Sequence, residues 1–364
     1  FGVSVPVNDI LSPAGNPQKW AKYIESTLAN DGQSRPTFAS IHGKGATEVK
    51  TSDLTLDKFI DAETLANATA ITAPTDNIKT VLLTGSNGYL GRFMCMAWLE
   101  KLAEKGEGKL ICLIRGASAE AARKRLDSVF DGVDPVLVQR YHALADKYLE
   151  VIVGEVADAD LGLSEEDFAR LAAEVDHISH PAALVNHMME YEHLFGPNIV
   201  GTAELIRLAL TTKKKRIDFV STVGVARCID VSNGLNEDSP LLAKLNLSDE
   251  YAFGYGASKW GSEHLLHEAH RQFDLPVSIF RGDMMLAHST YKGQINVPDM
   301  FTRLLYSTIV TGLAPNSFYQ LAADGNRQSA HYDGLPVDFV AGSIVGIGSQ
   351  PYSHIQTYHV VNHH

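Results

Sequence analysis

The sequence has few cysteines and no long apolar run. Its three cysteines, Cys95, Cys112 and Cys228, form no CxxC pair, which argues against a disulfide framework and against a cysteine-based zinc site. No apolar run approaches the roughly 18 residues of a membrane span. The first 20 residues also lack the basic start and apolar stretch of a signal peptide. We therefore expect a cytoplasmic chain with no membrane contact.

Basic side chains are outnumbered by acidic ones. The 364 residues include 31 Lys and Arg against 43 Asp and Glu, a formal net charge of −12. This balance argues against nucleic-acid binding, because phosphates need cationic partners. HExxH and GxSxG segments are absent, and the 15 histidines have no carboxylates in a ligand-like spacing. We expect neither a metal site nor serine-hydrolase chemistry.

Short apolar runs alternate with longer amphipathic stretches from residue 79 onward. The alternation predicts an α/β fold, namely a doubly wound parallel Rossmann sheet with a smaller C-terminal substrate lobe. The predicted strands cover residues 80–84, 109–115, 149–154, 175–179, 217–221, 277–281 and 357–361. The predicted helices cover residues 89–104, 119–130, 164–174, 198–211 and 257–273.

A glycine-rich turn joins the first predicted strand to the first predicted helix. Gly85 would allow the tight turn, Gly88 the approach of the backbone to a pyrophosphate, and Gly91 the packing of helix on strand. The alternative is an ordinary strand-to-helix turn. The predicted dinucleotide contacts are Thr84, Gly85, Asn87, Gly88, Tyr89 and Leu90.

Two arginines suggest which dinucleotide binds. The second strand ends at Arg115, where NAD-specific enzymes usually place an Asp or Glu. Guanidinium groups bind phosphate through paired hydrogen bonds, so Arg115 and Arg125 predict a 2′-phosphate site and NADPH as cofactor. The alternative is that both are solvated surface side chains.

A Tyr and a Lys four residues apart predict a catalytic pair on one helix face. An ammonium beside Tyr255 would lower the pKa of the phenol and ease proton transfer, and Lys259 would also hold the nicotinamide ribose. Ser221 and Thr222 end an earlier strand, where a third catalytic hydroxyl would lie. We predict Thr222, Tyr255 and Lys259 as catalytic residues. Ser221, Tyr255 and Lys259 are also predicted to contact the cofactor.

Three further residues are consistent with a dinucleotide-dependent active site, but their sequence signals are less specific. Asn198 opens a predicted helix, and Gly282 ends a strand where the backbone would meet the nicotinamide amide. Both are predicted to contact the cofactor, with a helix N-cap and a plain strand-end turn as the alternatives. His180 follows the fourth strand and is interpreted as structural.

These motifs resemble the extended short-chain dehydrogenase/reductase superfamily, with GxxGxxG, YxxxK and NxxGT segments. Longer segments resemble the thioester reductase domain of bacterial carboxylic acid reductases, and the similarity runs from about Arg35 to Val361. These segments cover residues 109–115, 181–187, 194–198, 296–303 and 325–339. The chain departs from the family's usual glycine loop, with Ser86-Asn87 for Ala-Thr and Tyr89 for Phe.

The resemblance implies NADPH-dependent reduction of an acyl phosphopantetheine thioester to an aldehyde. It also implies an acyl-loaded carrier domain and an adenylation domain of the same polypeptide as partners. The carrier's phosphopantetheine attachment Ser is not found in this chain. The alternatives are an extended short-chain dehydrogenase acting on a nucleotide sugar, the terminal reductase of a nonribosomal peptide synthetase, and a non-catalytic dinucleotide sensor.

The same resemblance gives the expected domain organisation. Residues 1–30 resemble the end of a carrier protein, and 31–75 are interpreted as a linker and N-terminal extension. Residues 76–282 would form the NADP-binding Rossmann domain, 283–335 the substrate-binding lobe, and 336–364 the return to the Rossmann domain.

Overall fold

The computed structural model describes residues 35–362 except 133, 233, 318–320, 322 and 328–331. The expected carrier fragment, 1–30, lies outside the described residues. The strands are β1 (Glu48–Lys50), β2 (Thr80–Thr84), β3 (Lys109–Ile114), β4 (Leu149–Val153), β5 (His177–His180), β6 (Arg216–Thr222), β7 (Lys244–Asn246), β8 (Val277–Gly282), β9 (Met284–Leu286), β10 (Gly334–Pro336) and β11 (Ile355–Val360).

Seven of these strands form one parallel sheet in the order β11-β8-β6-β5-β2-β3-β4. The chain builds outward from β2 in one direction and returns to build outward from β5 in the other, so the sheet is doubly wound. Ligands of such sheets bind beyond the carboxyl ends of the strands, where the order reverses. All seven predicted strands are present, with bounds that differ by at most two residues.

Helices cover both faces of the sheet. They are α1 (Phe38–His42), α2 (Ala62–Asn67), α3 (Tyr89–Lys105), α4 (Ala119–Asp127), α5 (Pro135–Tyr148), α6 (Glu165–Glu174), α7 (Tyr191–Leu194), α8 (Gly201–Ala209), α9 (Phe253–Phe273), α10 (Met300–Thr311) and α11 (Val337–Gly348). One core contains buried side chains of α6, α8 and α9, and the other contains those of α3, α4, α5 and α11. The central strands are therefore buried on both sides, which explains their nearly continuous apolar runs.

Some helices differ from the prediction. The sequence pattern did not predict α5, α10 and α11. The helix expected at 198–211 begins earlier, with α7, and passes through a π-helical segment, Phe195–Val200, before α8. Pro197 lies within this segment and lacks the N–H that a regular helix would use. In the described residues, no helix combines the length and the apolar composition that crossing a bilayer requires.

The stretch 35–75 requires a correction, because it does not have the character of a linker. β1 pairs antiparallel with β7, and Val49 and Leu54 are fully buried in the core that α9 also lines. Thr72 forms a bridge to Lys213 beside the main sheet. Small polar residues and glycines concealed this packing in the sequence.

The expected substrate lobe contains β9, α10 and β10. β9 and β10 pair in parallel, apart from the main sheet. In α10, no side chain is buried, and Ile309 is 80% exposed. The hydroxyl of Tyr89 on α3 lies 2.9 Å from the carbonyl oxygen of Leu286 and 3.0 Å from that of Gln294. The lobe is thus anchored to the helix that follows the glycine turn.

Candidate active site

The glycine turn has a backbone that requires glycine at two positions. Gly85 has φ +62°, and a Cβ there would lie 2.8 Å from the Cα of Ala182. A Cβ on Gly91 would lie 1.9 Å from the carbonyl oxygen of Gly85. Because helix and turn are in direct backbone contact, the amino terminus of α3 is fixed beside the carboxyl end of β2.

This turn fits the pyrophosphate of a dinucleotide. α3 begins after Gly88 with no side-chain cap and no acidic residue in its first turn, so its N–H groups and positive potential are available to an anion. Ser86 Oγ is buried and has no hydrogen-bond partner among the described residues. Asn87 and Leu90 are partly exposed at the turn.

The three predicted catalytic residues lie at the junction of β6 and α9. Thr222 ends β6, and α9 packs against the 3₁₀ helix that follows it, where a Cβ on Gly256 would come 2.6 Å from the carbonyl oxygen of Gly224. This close packing brings the first turns of α9, with Tyr255 and Lys259, to the end of β6. Thr222 Oγ1 accepts a hydrogen bond from Gly224 N–H at 3.1 Å, which leaves its hydroxyl proton available.

The ionisation of the pair differs from the expectation. Burial raises the pKa of Tyr255 above its usual value, so the phenol is protonated at neutral pH. Burial also lowers the pKa of Lys259 to about 7, while Glu263 opposes that decrease. Lys259 Nζ donates to the carbonyl oxygen of Val220 at 2.7 Å. The expected lowering of the Tyr255 pKa by Lys259 is therefore not found.

Four predicted cofactor-contact residues have side chains that form hydrogen bonds within the protein. Thr84 Oγ1 lies 2.8 Å from His180 Nδ1, and the Tyr89 hydroxyl contacts the lobe as described above. Ser221 Oγ donates to Glu263 Oε1 at 2.5 Å. Among these, Thr84 and Ser221 are buried. Their side chains are engaged within the protein, and contact of these residues with a dinucleotide stays a prediction.

Asn198, the fourth of these residues, links two parts of the site. Its Oδ1 accepts from Leu184 N–H at 2.8 Å, and its Nδ2 donates to Leu184 O and to Ser258 Oγ. Both amide hydrogens are thus used within the protein. Asn198 lies in the π-helical segment and joins the loop after β5 to α9, one turn from Tyr255. Its geometry supports a positioning role, and its contact with the cofactor stays a prediction.

The predicted 2′-phosphate residues meet beyond the end of β3. Arg125 Nη1 donates to the carbonyl oxygen of Arg115 at 3.2 Å, and both side chains are exposed. Arg115 Nε lies 3.3 Å from Glu155 Oε2. The structure therefore brings the arginines together, and it adds an acidic neighbour, Glu155, that the sequence pattern did not indicate.

The predicted nicotinamide contact, Gly282, ends β8. In the pairing of β8 with β6 it lies opposite Thr222.

Comparison with known proteins establishes the family. A family model described as Male sterility protein, an NAD-binding domain, matches residues 83–344. The chain belongs to this family. It is 51% identical over 367 aligned residues to the carboxylic acid reductase of Segniliparus rugosus, with coverage of 100% of this chain and 31% of that protein. The carboxylic acid reductase of Mycobacterium tuberculosis is 52% identical over 365 residues, with the same coverage.

A solved structure agrees with both the resemblance and the fold. The reductase (R) domain of a nonribosomal peptide synthetase from Mycobacterium tuberculosis superposes with a TM-score of 0.81 at 46% identity, covering 88% of this chain and 75% of that one. The fold class and the resemblance to reductase domains are confirmed. The chain spans about a third of the length of the curated relatives it matches.

The N-terminal extension, residues 35–75, also supports the site. The sequence pattern did not indicate this role. His42 Nδ1 lies 2.9 Å from Asp53 Oδ2, and His42 Nε2 lies 3.1 Å from the hydroxyl of Tyr191. Tyr191 precedes the π-helical segment, and its backbone nitrogen would be 2.7 Å from a Cβ on Gly254, next to Tyr255. The extension thus packs against the elements that hold the predicted catalytic Tyr.

A buried ion pair on α9 and β8 is the second feature that the sequence pattern did not reveal. Glu263 and Arg281 are joined by a 2.7 Å contact, and their side chains are 0% and 3% exposed. A signal was present in the sequence for Arg281, which directly follows the apolar residues Ile279 and Phe280 in β8. The segments alone do not show that the two charges meet.

Proposed function

We propose that this chain reduces a carrier-bound acyl phosphopantetheine thioester with NADPH and releases an aldehyde and a thiol. The observation that carries the proposal is the placement of Thr222, Tyr255 and Lys259 at the carboxyl edge of the sheet, where the glycine turn also lies. Whole-chain identity of 51% with a carboxylic acid reductase supports a thioester as substrate.

The chain's residues suit NADPH, which supplies a hydride to the substrate carbon when bound. The turn at Gly85 and Gly88 and the first N–H groups of α3 would hold the pyrophosphate. Arg115 and Arg125 would hold the 2′-phosphate. Lys259 would hold the nicotinamide ribose, and the backbone at Gly282 would meet the nicotinamide amide.

Proton transfer at the thioester oxygen is the task of Tyr255. As the carbon gains a hydride, the oxygen gains negative charge, and the Tyr255 phenol donates its proton there to give a hemithioacetal. The Thr222 hydroxyl donates a hydrogen bond to the same oxygen. The carbon–sulfur bond then breaks, the hydroxyl proton passes to sulfur, and aldehyde and thiol leave. One thioester, one NADPH and one proton give one aldehyde, one thiol and NADP⁺.

The decisive experiment supplies a soluble acyl-pantetheine thioester and NADPH. We expect loss of NADPH absorbance with release of one thiol and one aldehyde per NADPH. The apparent Michaelis constant should be high, because tethering to a carrier normally supplies an effective concentration on the order of mM. Thiol release with two NADPH consumed would indicate an alcohol product. Tight NADPH binding with no thiol release at high substrate would reject the proposal.

A terminal reductase of a nonribosomal peptide synthetase is the second candidate. The 46% identical R domain favours it, and the chemistry of the thioester is the same. The two candidates differ in the acyl group delivered. Comparison of kcat/KM for a simple acyl and a peptidyl pantetheine thioester separates them.

We propose that an acyl-loaded carrier and an adenylation domain belong to the same polypeptide, because the relatives are about three times longer. We propose that the segment 283–335 receives the pantetheine arm. A reducing, cytoplasmic location suits the buried and unpaired Cys95, Cys112 and Cys228.

Replacing Arg115 with Ala should reduce the preference for NADPH over NADH by about 10- to 100-fold, because charge-assisted hydrogen bonds contribute roughly 1.5–3 kcal/mol. Affinities for both nucleotides are measured by fluorescence titration. Arg140→Ala is the matched control, since Arg140 is 55% exposed and pairs with Glu100 on the helices α5 and α3. An unchanged NADPH/NADH affinity ratio in Arg115→Ala would place the 2′-phosphate elsewhere.

Activity should decrease as the pH rises through neutrality, because the ammonium of Lys259 is lost. Burial lowers the pKa of this group to about 7, whereas burial raises the pKa of Tyr255 and keeps its phenol protonated. The pH dependence of kcat/KM between about pH 6 and 9 reports the ionisation of the free enzyme. A flat profile over this range would show that the charge of Lys259 is not needed.

A further inference from the structure

Glu263 occupies an unusual position for a carboxylate. Its side chain is fully buried in α9, one helical turn beyond Lys259. Side chains four residues apart on a helix are neighbours, with about 5–6 Å between their Cβ atoms. Glu263 Oε1 accepts from Ser221 Oγ at 2.5 Å and from Arg281 Nε at 3.1 Å, and Oε2 accepts from Arg281 Nη2 at 2.7 Å.

The partners of this carboxylate are next to site residues in the chain. Ser221 directly precedes Thr222 on β6, and Arg281 directly precedes Gly282 on β8. The two strands are neighbours, with Ser221 opposite Arg281 and Thr222 opposite Gly282. One buried carboxylate therefore joins the helix of Tyr255 and Lys259 to both strand ends that face the predicted nicotinamide site.

We propose that Glu263 is a positioning residue whose negative charge, held in place by Ser221 and Arg281, acts on the ammonium group of Lys259 one helical turn away. The inference rests on the proposed function, because it names the group that maintains the charge used in that reaction. Stability alone gives little reason for the arrangement, since buried ion pairs are often no more stabilising than apolar residues of similar volume.

The other charged and titratable groups around Lys259 do not replace Glu263. On β5, His180 is buried with its pKa lowered by burial and by Lys259, so it is neutral. On α9, the Tyr255 phenol is also neutral. The guanidinium of Arg281 on β8 is paired with Glu263. Burial raises the pKa of the Cys228 thiol, in the 3₁₀ helix after β6, to about 12.

Two further histidines lie near the ion pair. His267 follows Glu263 by one turn of α9, and burial lowers its pKa. His359 on β11 has its Nε2 3.4 Å from Arg281 Nη1. Neither supplies a negative charge. Glu263 is therefore the anion among the described residues that opposes the loss of the Lys259 proton.

The test is Glu263→Gln, which keeps the shape and removes the charge. We expect the titration midpoint of Lys259 in nucleotide-free protein to fall by about one pH unit, since buried charges one helical turn apart interact appreciably even at an effective dielectric constant of about 20. The midpoint is measured from the ¹³Cε resonance of Lys259, assigned by its absence from Lys259→Met. The alkaline limb of kcat/KM should move to lower pH by the same amount.

Glu268→Gln is the matched control for the same change in charge and shape. Glu268 is also a buried carboxylate of α9, two and a half turns beyond Lys259, and its Oε1 accepts from Gln272. Its substitution should leave the Lys259 midpoint and the pH profile unchanged. A shift of equal size in this variant would reject a specific role for Glu263.

A double variant covers the case in which Glu263→Gln does not fold because Arg281 is left unpaired. Glu263→Gln with Arg281→Gln buries no charge, and the midpoint of Lys259 should still fall. An unchanged midpoint in the folded variant overturns the inference, even if activity is lost. If the midpoint falls but the wild-type chain reduces no thioester, the electrostatic role stands and the proposed function fails.

Discussion

Replacing Tyr255 with Phe should slow thioester reduction by about 10²- to 10⁴-fold, the range typical of a general acid. The substitution removes the only proton donor proposed at the substrate oxygen. It should not disturb the fold, because the Tyr255 hydroxyl has no hydrogen-bond partner among the described residues, and its ring, 5.7 Å from that of His187, is retained. NADPH affinity should therefore stay close to that of the wild type.

The measurement combines a single-turnover rate with a binding titration. The rate of thiol release at saturating NADPH reports the chemical step, and nucleotide fluorescence reports the dissociation constant. Tyr148→Phe is the matched control, since Tyr148 ends α5 at the opposite, amino edge of the sheet and is buried. Near-wild-type thiol release by Tyr255→Phe would remove Tyr255 from the reaction. A parallel loss of NADPH binding would instead indicate a structural defect.

The elements predicted from the sequence are those with local signals. An apolar run that is buried on both faces marks each central strand, as in Val81, Leu82 and Leu83 of β2, all of which are 0% exposed. The glycine turn and the Tyr–Lys pair are each contained within a few residues. Their conformation is fixed by short-range geometry, so their spacing was sufficient to predict them.

Side-chain partners were not predictable where they are distant in sequence. The Tyr89 hydroxyl meets carbonyls 197 and 205 residues away, and His42 meets Tyr191 across 149 residues. Ser221 donates to Glu263, 42 residues further on. A hydroxyl at a strand end has the same sequence signal whether it faces a cofactor or a buried carboxylate. The direction of each side chain is decided by tertiary packing.

The ionisation of Tyr255 and Lys259 was also not predictable from local sequence. The spacing of Tyr255 and Lys259 places the two side chains on one face of α9, and from that spacing an ammonium would be expected to lower the pKa of the phenol. Burial has a larger influence than this pairing, because both groups lose water and both are driven toward their neutral forms. Depth of burial is a property of the folded site and is not contained in a YxxxK pattern.

Replacing Gly91 with Ala should weaken NADPH binding by about 10²-fold, although alanine is the better helix former. In an open helix the change would stabilise by roughly 0.5–1 kcal/mol. Here the new Cβ would be 1.9 Å from the carbonyl oxygen of Gly85. α3 must therefore move away from the turn. The helix N–H groups would then lose the charge-assisted hydrogen bonds proposed to hold the pyrophosphate, and two such bonds account for an effect of this size.

Gly342→Ala separates the loss of the turn from a general effect of adding a methyl group to a helix. Gly342 lies within α11, is exposed, and has no atom within 4 Å of the position of its Cβ. This control should bind NADPH as the wild type does and should raise the free energy of unfolding slightly. Dissociation constants and denaturant unfolding curves are measured for both variants. If Gly91→Ala is folded and binds NADPH with unchanged affinity, the contact between α3 and the turn does not organise the nucleotide site, and the pyrophosphate must be held by other groups.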